Sequence, residues 1–179
     1  PARGLLGVSR AVFVARRAPG GKTVFSRALG GPSLDRRPKL ALGRDGSAFV
    51  AATYRGEPDL GGGPLPDHFD GAFLTKLSAS GDHQWSKGFG GTGWCYPTAL
   101  AVEDDRLAFA ARFSDAVDLG SGRLQSESGE DALLAVFGGD GALRAARRYG
   151  GFGQDSISGA AWNAGELWLT GELQTTFGS

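Results

Sequence analysis

The chain of 179 residues contains one cysteine, two histidines and no methionine. A lone Cys95 excludes an intrachain disulfide, and His68 with His83 cannot build a structural zinc site without carboxylates from elsewhere. Net charge is missing too: 19 Lys and Arg balance 19 Asp and Glu, so no bulk field draws the protein to nucleic acid. No apolar run approaches the roughly 18 residues that cross a bilayer as a helix. Residues Pro1 to Arg10 lack an initiator Met and the basic-then-apolar layout of a signal peptide, and read as part of a longer chain or a processed form. Long helices are also disfavoured, because 31 Gly and 8 Pro interrupt the sequence throughout.

What is present is 41% apolar residues, enough for a core, and a repeat. Gly30 and Gly31, Gly90 and Gly91, and Gly150 and Gly151 recur at an offset of 60, behind Leu29, Phe89 and Tyr149. The same offset relates Gly21, Gly81 and Gly141, then Arg27, Lys87 and Arg147. It continues through Leu40, Leu100 and Ala160, through Leu42, Val102 and Trp162, and through Phe49, Phe109 and Leu169. The register slips only where Asp59, Leu60, Gly61 match Asp118, Leu119, Gly120 and, less closely, Thr176, Phe177, Gly178, which marks a loop.

Each unit reads as short strands between turns. In the middle copy Ala72 to Leu77 is a strand, Ser80 to Asp82 a turn, and His83 to Phe89 an alternating strand with Trp85, Lys87 and Phe89 on one side. Leu100 to Glu103 and Leu107 to Phe113 follow, joined by a tight turn at Asp104 and Asp105. The corresponding Asp45, Gly46 predicts a type I′ hairpin turn. The expected fold is therefore all-β, about twelve strands, as a propeller-like array of three four-stranded blades of about 60 residues. The units run 1–66, 67–126 and 127–179 and form one partial or oligomer-completed domain. Three units of four strands also fit a β-trefoil or β-prism, and the count alone favours these.

Asp70 to Gly91, reading DGAFLTKLSASGDHQWSKGFGG, together with DLGGGPL at Asp59 to Leu65, resembles the bacterial β-propeller repeat family called SBBP. The resemblance covers almost the whole chain and is strongest from Asp67 to Leu124. It departs where Ser9 and Arg10 stand in place of an acidic residue and where Ala145 replaces the Trp seen at Trp85. It implies a propeller over a threefold fold, and an extracellular or cell-surface location. Leu5 aligns with Leu65, so Pro1 to Arg10 reads as the tail of a linker between blades. Three open blades expose edge strands, so the resemblance also implies closure by a second chain, giving six blades, or by further blades.

Chemistry is sparse. Asp67, His68 and Asp70 could ligate calcium, but a DxDxDG loop is absent, and Asp70 is expected to accept turn amides, with Asp131 in a similar part. No GxSxG elbow or ordered Ser, His, Asp set appears. Gly61 to Gly63 and Gly90 to Gly93 lack the following helix and Gly-Lys-Ser/Thr ending of a phosphate loop, which leaves them as strand-end turns. Arg36, Arg37, Arg144, Arg147 and Arg148 read as strand-face charges. The informative feature is a variable loop after each Gly-Gly on a repeated frame. Trp94 and Tyr96 beside Pro97 form a candidate aromatic platform, with Asp35 and Asp155 contributed by the corresponding loops. The alternative role for these rings is packing between blades. The expectation is a non-catalytic binding or scaffold module for a protein or carbohydrate partner, without metal or cofactor. The competing readings are a propeller enzyme with a central-channel site, opposed by small inward residues Ala41, Ala101 and Ala161, and a threefold lectin.

Overall fold

The computed structural model describes residues 11–29 and 38–174. Readings that fall on Pro1 to Arg10, on Gly30 to Arg37 with Asp35, and on Thr176 to Gly178 lie outside them. The described chain is all-β, with thirteen strands in several sheets, and no sheet among the described residues closes on itself.

Two sheets are complete antiparallel meanders. The first runs β3 (Lys39–Leu42), β4 (Ala48–Gly56), β5 (His68–Leu77), β6 (His83–Phe89). The second runs β7 (Cys95–Glu103), β8 (Arg106–Asp118), β9 (Arg123–Gly138), β10 (Leu143–Tyr149), with β11 (Phe152–Gln154) added parallel to β9. They are flanked by two hairpins, β1 (Val12–Arg17) with β2 (Thr23–Leu29) and β12 (Ser156–Asn163) with β13 (Glu166–Glu172). Sheets and sequence units are out of phase by two strands: the first sheet takes β3 and β4 from unit 1–66 and β5 and β6 from unit 67–126. A repeat can be cut at any phase without altering its period. Only hydrogen bonding between strands decides which four belong together.

The sheets stack face on face, because alternation gives each central strand two apolar faces. Val12, Val14 and Leu29 meet Val50, Tyr54, Phe73 and Leu77. The opposite face of the first sheet, with Phe49, Leu74 and Phe89, packs on Phe109, Phe113, Leu133 and Phe137 of the second. Ala101, Ala108, Ala110 and Leu134 then meet Ile157, Ala160 and Trp162. Each large side chain buried this way stabilises by roughly 1.5 to 3 kcal/mol over its exposed state. Ala101 is buried between sheets and lines no channel.

Turns fix the register. Gly21, Gly81 and Gly141, with φ of 85°, 92° and 78°, occupy the same place in three equivalent loops, where a left-handed backbone favours glycine. Each donates its amide to a carbonyl three residues back, at Ala18, Ser78 and Gly138. Asp45 and Gly46 adopt this longer form as well, with Gly46 alone at positive φ and its amide on the Gly43 carbonyl. The expected type I′ turn is therefore absent there. Positive φ at both positions of a two-residue hairpin turn occurs instead at Ala164 and Gly165, between the paired Asn163 and Glu166. The β7–β8 turn is one residue shorter than the β3–β4 turn: Leu40 faces Val50, and Leu100 faces Phe109. Val50, not Phe49, is thus the counterpart of Phe109, since a one-residue slip exchanges the faces of a strand.

Candidate functional site

The Gly90 to Trp94 link leaves β6 and enters β7 beside the end of β8. Gly90 bridges Asp118, and side chains at Gly91 and Gly93 would collide with the carbonyls of Ala116 and Ser114, so glycine permits the close approach. The Trp94 carbonyl accepts the Ser114 amide at 3.1 Å, just before the register shift in β8 where Asp115 takes φ 54°.

This backbone sets the aromatic pair. The rings of Trp94 and Tyr96 stack on each other at 4.4 Å between centroids and 16° between planes. The Arg112 guanidinium lies 5.9 Å from the Trp94 ring centroid, and Arg112 is the cross-strand partner of Tyr96. Its Nη1 donates to Glu130 Oε2 at 2.9 Å. Both rings are partly buried. The arrangement is an aromatic and cationic cluster with a carboxylate behind it, suited to stacking on a ring or a planar group. Sequence reasoning missed Arg112, which is invisible until the β7–β8 register places it opposite Tyr96.

Asp155 takes a different role from the one its loop position suggested. It is 1% exposed, and its carboxylate accepts the amides of Gly151 at 3.0 Å and Gln174 at 2.8 Å. Its own amide reaches the Glu130 carbonyl at 2.7 Å. It serves the backbone rather than a ligand.

Other candidates resolve into structural roles. Asp70 accepts a two-point contact from Arg55, at 2.7 and 3.1 Å, rather than turn amides. Asp131, fully buried, accepts the Glu127 amide and the Arg148 guanidinium, which also reaches Glu127. Arg144 pairs with Asp140. Asp59 Oδ1 accepts the amides of Gly61 and Gly63, and Asp118 those of Gly120 and Gly122. A carboxylate therefore occupies the amides that a phosphate would need, and those amides hold the Asp59 carboxyl below the usual carboxylate range.

His68 packs edge-on against Tyr54, with centroids 5.9 Å apart. His83 Nε2 lies 3.2 Å from Ser86 Oγ. Burial lowers the pKa of both imidazoles. Ser86 lines a shallow groove of about 340 Å³ between Gly62 to Pro66, Ser86 to Phe89 and the Leu119, Gly120 turn. Among the described residues no group of three His, Cys, Asp or Glu is placed to hold a metal, and no helix is long and apolar enough to cross a membrane. Compared with known proteins, the chain matches no family model and no curated protein.

Proposed function

We propose that the chain is a segment of a β-propeller-like array of the kind the SBBP resemblance implies, acting outside the cell as a binding scaffold for a carbohydrate or protein partner. Two consecutive four-stranded meanders stacked face to face support the blade reading. The recognition surface is the Trp94, Tyr96 and Arg112 cluster. A single observation carries this: an aromatic stack with an adjacent guanidinium stands on a loop that breaks the repeat, while the frame around it is repeated. Copy three has Gln154 where copy two has Trp94, so the cluster belongs to one loop and makes a single site rather than a symmetric set. A glycan array and a pull-down with the chain, repeated with Trp94→Ala/Tyr96→Ala, test the reading. Loss of a bound partner with a fall in melting temperature of no more than a few degrees is the expected result. A large fall in melting temperature would instead assign the rings to packing.

A further inference from the structure

The two ends of the stack are half sheets, and the repeat identifies which halves. β1 and β2 correspond to β5 and β6, the closing strands of a meander, whereas β12 and β13 correspond to β7 and β8, the opening strands. Among the described residues β1 pairs only with β2, and β13 only with β12. Apolar residues at both ends are exposed where their counterparts are buried. Phe13 is 74% exposed while Phe73 and Leu133 are at 0%, and Trp168 is 62% exposed while Phe49 is at 3%. Leu40 and Leu42 are exposed too, although Leu100 and Val102 pack against the cluster that contains Phe49.

One residue makes the complementarity specific. Lys76 does two things: its Nζ donates to the Gly139 carbonyl of the next sheet, at 3.2 Å, and lies 5.2 Å over the ring of its cross-strand partner Phe49. Arg16, its counterpart in β1, makes the first contact in the same way, donating to the Ala79 carbonyl at 2.8 Å. Among the described residues its strand has no neighbour on the side where the aromatic would stand. The residue that corresponds to Phe49 is Trp168, exposed on β13.

We propose that a second copy of this chain supplies the missing half, β1 of one copy pairing antiparallel with β13 of the other into a sheet β12–β13–β1–β2. The proposal rests on the blade reading above. The two complete sheets dictate the register: Phe109 faces Ala135 and Leu107 faces Phe137, so Leu169 faces Ala15 and Leu167 faces Arg17. Trp168 then lies beside Arg16 and covers Leu40 and Leu42 of the second copy. The contact joins different surfaces of the two chains, and two copies joined at both junctions close a ring.

Disulfide trapping tests it. Leu169→Cys chains are mixed under mild oxidation with Ala15→Cys chains or, as an off-register control, with Phe13→Cys chains. Cys95 stays silent, because burial pushes its thiol up to about 12. The expected result is a linked pair from Leu169→Cys with Ala15→Cys in at least tenfold excess over the control, and a light-scattering mass of two chains for the unmodified protein. Equal trapping in both mixtures, or a single-chain mass at all concentrations without trapping, overturns the proposal. Hydrogen exchange separates the two levels of failure. Protected amides in β4, β5, β8 and β9 without an interchain link remove the second copy and leave the stacked sheets standing, whereas loss of that protection removes both.

Discussion

Trp94 and Tyr96, two residues apart where the loop enters β7, meet face to face with centroids 4.4 Å apart, while Tyr96 and Arg112 are cross-strand partners. Such a stack is worth about 0.5 to 1.5 kcal/mol beyond its burial. A double-mutant cycle on Trp94→Ala and Tyr96→Ala, read by urea unfolding, is expected to return a coupling in that range. Additive effects would mean that each ring packs independently of the other.

Trp85 ties the two complete sheets together. It is partly buried, packs 6.1 Å from Phe49 between ring centroids, and donates its indole N–H to the Gly139 carbonyl at 2.9 Å. Trp85→Ala is expected to cost about 3 kcal/mol, the lower end for large aromatics because the site is not fully enclosed. Trp85→Phe keeps most of the ring contact and loses the hydrogen bond, for about 1 kcal/mol. Equal stability of the alanine variant and the parent in chemical denaturation would contradict this placement.

Tyr54 illustrates how the copies diverge in compensated groups. Its hydroxyl donates to the Pro66 carbonyl at 2.8 Å, and a Cβ at Gly88 would collide with that hydroxyl. In the second sheet Phe113 stands at this position, and Asp131 with Arg148 occupies the places of Gly71 and Gly88. Gly88→Ala should therefore destabilise the parent by about 1 to 3 kcal/mol through overpacking. The penalty should shrink in a Tyr54→Phe background, where the clashing oxygen is gone. Thermal unfolding of the four proteins would show an unchanged penalty if the hydroxyl were irrelevant.

The Asp59 clamp makes a prediction about pH. Its carboxyl is held below the usual carboxylate range by the Gly61 and Gly63 amides, so it contributes stability when ionised. That contribution is full above the unfolded-state value and disappears as pH falls through the lowered folded-state value. Asp59→Asn should thus be less stable than the parent at neutral pH, and the gap should close as pH falls from about 5 toward about 2. Urea midpoints measured across that range check the sign; a gap that widens in acid would refute it.

Cys95 is fully enclosed in the cluster between the two complete sheets, and burial drives its thiol far from ionisation. Alkylation at mildly alkaline pH should be negligible in the native protein and rapid in denaturant. Stoichiometric labelling without denaturant would show that the cluster opens readily.

The strands and the repeated glycine turns were legible because they depend on local chemistry. Gly21, Gly81 and Gly141 announce a left-handed backbone, and His83 to Phe89 forms a strand as its sequence predicts, although its burial does not alternate: Gln84 alone is exposed and Phe89 alone is buried. Two things were hidden. The phase of the sheets depends on hydrogen bonds between strands, which a cyclic repeat leaves open. The role of Asp155 was also illegible, since its partners are the backbone amides of Gly151 and Gln174, and an amide carries no residue-specific signal. Trp94 and Tyr96 stood out by composition and by contrast with the other loops, whereas Arg112 emerged only from pairing.

The shortened β7–β8 turn has an evolutionary corollary. A tip shorter by one residue leaves the ladder intact and keeps the true counterparts, Val50 and Phe109, on the same face, whereas letters matched at a constant spacing, such as Phe49 and Phe109, face opposite neighbours. Duplicated modules therefore keep their partners across a turn of different length, and an alignment that matches letters at a fixed spacing will misjudge which of them touch.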